Sequence, residues 1–150
     1  MFTHILFPTD GSALSNVALT KAALLAKQVG AKLTAMHVVG QYHPAVESDG
    51  YLVSEGVALL KQSFEKEEAA RADRILDEVR KISARFGVEC ACVTASGDLP
   101  YQAIIAEASK SGCDLIVMAS HGRRGLEGLL LGSETQKVLT HSKVPVLVCR

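Results

Sequence analysis

Tryptophan is absent, and four phenylalanines and three tyrosines are spread over 150 residues. So thin an aromatic complement argues against a platform on which single-stranded nucleic acid would stack. An excess of either charge is also missing: sixteen Lys and Arg balance sixteen Asp and Glu. A nucleic-acid binder of this size would be clearly basic, so that class is set aside. No apolar run approaches the roughly 20 residues needed to cross a bilayer. The opening "MFTHILFPTDGS" has neither a basic leader nor a small-residue cleavage site, which predicts a cytoplasmic protein. Cysteines number four, Cys90, Cys92, Cys113 and Cys149, with no CxxC and no Cys/His pair at zinc spacing. They read as reduced, mostly buried thiols. The pair in "CAC" would face one side of a strand.

What is present is alternation. Forty-eight per cent of the chain is apolar, enough for one domain with a proper core across 1–150. Apolar runs at 4–9, 32–39, 88–95, 114–120 and 144–150 read as strands. Between them, helical spacing marks 12–30, 55–86, 97–112 and 133–142. In the first helix Leu14, Val17, Ala18, Leu25 and Val29 recur at helical spacing, with Gly30 as its stop. In the second, Ile75, Val79, Ile82 and Phe86 share a face, while "EKEEAARADR" reads as a solvated one. Asp98 is the expected N-cap of the third helix, with Pro100 in its first turn. Ser133 and Gln136 have capping-box spacing at the start of the fourth. Residues 40–54 read as a loop in which Tyr42, His43 and Tyr51 are ordinary surface residues. Five strands and four helices in strict alternation predict a three-layer α/β/α fold, a doubly wound parallel sheet with helices on both faces.

Two stretches leave strand carboxyl ends, where such sheets bind ligands. "SHGRRGLEGLLLGS", 120–133, follows the fourth strand. Its glycines let backbone approach a ligand closely, and successive amides can converge on anionic oxygens. Ser133 adds a hydroxyl at a helix start, and Arg123 or Arg124 could neutralise phosphate. No Gly-Lys-Ser/Thr closes the segment, so it is not a Walker loop, and no GxGxxG follows the first strand. Corner-turning alone would also account for such glycines. The apolar "LEGLLL" within it would pack on the domain or on a partner. "FPTDGS", 7–12, ends the first strand; Asp10 could accept hydrogen bonds from a base or sugar, or form an Asp turn that caps the first helix.

These residues resemble the universal stress protein family. Its ATP-binding members carry G-x2-G-x9-G-[ST] after the fourth strand, and Ala119, Gly122, Gly132 and Ser133 fit that spacing with alanine at the first position. "PTD" after the first strand, "HVV" ending the second and the terminal "VPVLVCR" are similar too. The resemblance implies strand order 3-2-1-4-5, a homodimer, and ATP accompanied by Mg or Mn, although no carboxylate cluster for a metal stands out. It implies that Asp10 and the backbone at Val38 contact adenine and that Pro8 and Thr9 line the pocket. Gly122, Arg123, Gly132 and Ser133 would hold ribose and phosphates, with the amides of Glu134 and Thr135. Two departures stand out: the methyl of Ala119, and the carboxylate of Glu134, which would repel phosphate if it pointed inward.

The resulting expectation is an ATP-binding regulatory protein of the stress response. Alternatives are an interaction module that binds no nucleotide, or a weak ATP-hydrolysing enzyme. For the enzyme, His121 is the one candidate base in the cradle, no acid/base pair has reaction spacing, and "TDGSALS" lacks the SGGxDS-like loop of pyrophosphatase-type ATPases. Ser12 and Ser15 read as helix caps. The last strand would lie at a sheet edge, where exposed Val146, Leu147 and Val148 invite antiparallel pairing with a second copy. A protein partner of unknown kind is also expected; nucleic acid and membrane are not.

Overall fold

The computed structural model describes residues 1–44, 54–122 and 131–150. In chain order the elements are β1 (His4–Pro8), α1 (Ala13–Val29), β2 (Lys32–Val39), α2 (Ser54–Arg85), β3 (Cys90–Ser96), α3 (Pro100–Lys110), β4 (Leu115–Ala119), α4 (Ser133–His141) and β5 (Val146–Cys149). All strand pairs are parallel and the order is β3-β2-β1-β4-β5. The expected doubly wound sheet is therefore present, with β1 at its centre.

Period-two alternation distributes the strand side chains between two cores. Ile5, Phe7, Leu33, Ala35, Leu115, Val117 and Ala119 face α1 and α2. Leu6, Met36, Ile116 and Met118 face α3 and α4. Phe7, Leu6 and Ile5 are fully buried, each contributing about 1.5–3 kcal/mol.

On α1 the expected face is met at Ala18, with Leu14 and Leu25 packed against the core, but not at Val17 and Val29. Ser15, Ala18, Leu19, Ala22, Ala23 and Ala26 pack inward, while Val17 and Val29 are 51% and 40% exposed. The bulky side chains of the central strands occupy the interface, so the helix that lies on them presents small residues. The second helix behaves as expected, with Ile75, Val79 and Ile82 buried.

The helix starts differ as well. Asp98 does not cap α3: the N-cap is Leu99, with no side-chain bond, and Asp98 pairs with His43 at 2.9 Å. Ser133 is not the cap of α4 either. Gly132 holds that place in extended conformation, and no capping box forms. Its amide donates to the Ser120 carbonyl at 2.7 Å, which pins Gly132 outside the helix and makes Ser133 the first helical residue.

Candidate functional site

Between β1 and β4 the strand order reverses, and there the sheet opens. The two strands pair only at Ile5 with Leu115 and Leu6 with Ile116, whereas β4 continues beside β5 to Ala119. Pro8, without an amide to donate, lies where β1 departs. The carboxyl ends of β1 and β4 thus flank a crevice.

The β1 side of it is braced from within. Buried Thr9 donates its amide to the Met36 carbonyl at 2.8 Å, and its Oγ1 lies 2.8 Å from Ser15 Oγ and accepts from the Gly11 amide at 3.1 Å. Its carbonyl accepts from Nδ1 of buried His37 at 2.8 Å. Thr9 therefore ties β1, β2 and α1 together, and its side chain is turned toward α1. His37, which the sequence signals only as a polar residue in an apolar strand, locks the ends of β1 and β2. Asp10 Oδ1 accepts from the Ser12 amide at 3.0 Å, making the Asp turn, and its Oδ2 lies against Gly122. Val38 is partly buried against the α3–α4 core, its backbone paired in register with Ala95.

On the β4 side, Gly122 and Gly132 are sites of close approach. A Cβ on Gly122 would run into the Asp10 carboxylate; one on Gly132 would meet the Ser120 carbonyl at 3.2 Å and His121 Cα at 3.3 Å. The chain returning to α4 is thereby pressed onto the end of β4. Thr135, buried, donates its hydroxyl to the Ala119 carbonyl at 3.0 Å and strengthens the same junction. The Ala119 methyl sits in the α1–α2 core and so does not intrude on the crevice. His121 places Nδ1 3.1 Å from Ser120 Oγ, while its Nε2 is buried without a partner. Arg123, Arg124 and most of "LEGLLL" lie outside the described residues, as do 45–53 of the expected loop.

The start of α4 decides what this crevice can hold. Its first intrahelical bond is Gln136 N–H to the Gly132 carbonyl at 3.0 Å, so the amides of Ser133, Glu134 and Thr135 precede the ladder. The amide of Gly132 is committed to Ser120 and is not among the donors. The Glu134 carboxylate turns away from the crevice. Its Oε2 accepts from the Tyr101 amide at 3.0 Å and its Oε1 from Lys137 Nζ at 2.8 Å. It thus caps the neighbouring α3 in place of Asp98 and holds Lys137 above the ordinary lysine range. Amides at the positive end of a helix dipole are the kind of donors that can hold an anion. No group of three or more His, Cys, Asp or Glu side chains that could hold a metal occurs among the described residues.

An open parallel sheet with such a helix start at its reversal defines the class of α/β proteins that present ligand sites outside the strand carboxyl ends. Comparison with known proteins narrows the class. The sequence profile of the universal stress protein family matches residues 1–150. The universal stress protein MJ0531 of Methanocaldococcus jannaschii is 35% identical over 150 residues, covering 100% of this chain and 83% of that protein. UspA from Lactobacillus plantarum has the same fold, with a TM-score of 0.83 at 26% identity over 99% of this chain and 98% of the other. A universal stress protein solved in complex with cAMP gives a TM-score of 0.71 at 26% identity, over 99% and 97%. The chain belongs to the universal stress protein family.

Proposed function

We propose that the crevice binds ATP and that the protein acts as a nucleotide-dependent regulator in the stress response. The observation that carries this reading is the start of α4, which has no side-chain cap and stands beside two glycines where the sheet opens. Phosphate oxygens would accept from the amides of Ser133, Glu134 and Thr135, with the Ser133 hydroxyl and Arg123 adding donors. Asp10 and the Val38 backbone would read adenine beside Pro8 and Thr9, while Gly122 and Gly132, by letting the chain lie against Asp10 and the end of β4, would set the backbone that holds ribose and phosphates. Ala119 contributes through the junction it forms with Thr135. The cAMP complex of a similar protein supports an adenine nucleotide as ligand.

The triphosphate residues fit the group in charge and approach, and a bound Mg or Mn would be held chiefly by phosphate oxygens and water. ATP supplies a polyanion that ties the carboxyl end of β4 to α4, a state that its absence would leave less populated. His121 is placed to donate a hydrogen bond from Nε2, the nitrogen now buried without a partner. The Asp10 carboxylate that shares the crevice is engaged by the Ser12 amide, an arrangement that suits binding better than proton transfer.

The protein would work as a cytoplasmic homodimer. Edge strand β5 leaves Leu147 44% exposed and Val146 and Val148 partly so, an edge suited to pairing with a second copy. Titration calorimetry with ATP, ADP, AMP and cAMP tests the ligand. ATP binding at one site per chain is expected, and heats indistinguishable from dilution for all four would overturn the proposal. Val148→Lys should give monomer by sedimentation; a persisting dimer would place the interface elsewhere.

A further inference from the structure

Strand β1 stops before β2 does, and the way it stops leaves part of β2 unused. The β1–β2 ladder runs from His4 with Lys32 to Pro8 with Met36. One bond lies beyond it: the Thr9 amide donates to the Met36 carbonyl at 2.8 Å. In a parallel pair, a residue that donates to one residue of its neighbour accepts from the residue two further on. The Thr9 carbonyl would therefore take the Val38 amide. Among the described residues it does not, and accepts instead from Nδ1 of His37 at 2.8 Å. A carbonyl only accepts, so Nδ1 carries the proton.

His37 makes this bond from within the fold. Leu33 and Ala35 of β2 pack in the α1–α2 core, and His37 follows them on that face by the period of two. It is 5% exposed. The Thr9 carbonyl shares a planar unit with the Asp10 amide, so the same bond fixes the direction in which the chain leaves toward Asp10.

Two bonds show which way the Val38 backbone points. The Met36 carbonyl is turned to β1, where it meets Thr9. The Val39 carbonyl is turned to the other side, where it accepts from the Gly97 amide beyond β3 at 3.1 Å. Backbone groups alternate between the two sides along a strand, so the Val38 amide and carbonyl point as those of Met36 do. They lie past the last paired residue of β1, at the rim of the crevice. With adenine as the base there, as proposed above, this neighbouring donor and acceptor match its edge: N1 accepts and the N6 amino group donates. Guanine offers a donor at N1 and an acceptor at O6, so the same two groups oppose it.

We propose that His37 is a positioning residue that ends the β1–β2 ladder, and that by holding the Thr9 carbonyl it keeps the Val38 amide available to select adenine over guanine. His37 does not itself touch the nucleotide; it acts through Thr9. A buried carbonyl deprived of its donor takes the next one in reach. Without the His37 N–H, the Thr9 carbonyl pairs with the Val38 amide, the ladder lengthens by one bond, and the base loses its donor.

The test compares His37→Leu with His37→Asn in the full chain. Leucine keeps bulk without a donor, whereas the asparagine amide places an N–H where Nδ1 stands. Calorimetry with ATP and with GTP, hydrogen exchange of the Val38 amide by NMR, and thermal melts are read on each. The parent should bind ATP at least about 10-fold more tightly than GTP. His37→Leu should lose about 10-fold in ATP affinity with GTP affinity unchanged, and His37→Asn should return to within about threefold of the parent. With no ligand present, the Val38 amide should exchange readily in the parent and in His37→Asn, and at least about 10-fold more slowly in His37→Leu. A histidine that served stability alone would lower Tm and weaken both nucleotides together. Equal losses for ATP and GTP in folded His37→Leu, no rescue by asparagine, or a Val38 amide already protected in the parent would each overturn the role. His37→Met supplies the same comparison if the leucine variant does not fold. A parent that binds neither nucleotide yet shows these exchange rates would overturn the adenine reading and leave the ladder role standing.

Discussion

Two helices begin at the carboxyl edge of the sheet beside the same crevice, and their first turns are treated in opposite ways. At α1 a side chain caps the first turn: Ser12 Oγ accepts from the Ser15 amide at 3.2 Å, and just before the helix Asp10 Oδ1 accepts from the Ser12 amide at 3.0 Å. At α4 the cap is a glycine with no side chain to offer, and the one carboxylate in the first turn caps α3 instead. A helix start that goes without a cap forgoes about 1 kcal/mol. The difference is the ground for proposing an anion beside α4, whose start has no side-chain cap, rather than beside α1.

The most severe way to break this contrast is Gly132→Asp. The new side chain meets the Ser120 carbonyl and His121 and adds negative charge at the α4 start. ATP affinity by calorimetry should fall at least about 100-fold, about 2.7 kcal/mol; unchanged affinity would remove α4 as the phosphate site. Next comes Glu134→Ala, which uncaps the Tyr101 amide. It should cost about 1 kcal/mol of stability, seen as about 2–4 °C in Tm, while ATP affinity holds or rises. A clear fall in affinity would mean that the carboxylate serves the ligand after all. Ser12→Ala sharpens the contrast from the other side. A similar or slightly smaller loss in Tm is expected with no change in ATP affinity, because that helix start is already served.

The smallest effect lies at the amino edge, far from the crevice. There the Asp114 carboxylate accepts from the amides of His4 and Thr3 and from the Thr3 hydroxyl, which hold its pKa at about 2. A folded pKa below the unfolded value of about 3.9 gives stability that is full above that value and lost as pH falls toward about 2. Urea midpoints should therefore drop more steeply across that window for the parent than for Asp114→Asn, with ATP affinity at neutral pH the same in both.

Much of the fold was legible because alternation of apolar runs with helical spacing leaves few arrangements, and every strand and helix expected is present. The inward face of α1 was legible only in part, at Leu14, Ala18 and Leu25, because alanine is a weak apolar signal and its burial depends on the bulk of Ile5, Phe7 and Val117 opposite. Cap assignments at Asp98 and Ser133 failed for a related reason. Local spacing proposes a cap, but a carboxylate from another helix, Glu134, and a carbonyl from the end of β4, Ser120, decided both cases. At the crevice the sequence indicated Asp10, Gly122, Gly132 and the α4 amides. It did not indicate His37, whose role rests on a bond to Thr9 across two strands.

Ala119 has a consequence for how such chains are sorted. Its side chain belongs to the interior on the α1–α2 face, so in this protein the leading position of the glycine signature is filled according to the space beneath the sheet. A filter demanding glycine at that place would discard the chain for a trait unrelated to what its rim can hold. The two later glycines, each pressed against neighbouring atoms, are the ones by which candidates should be screened.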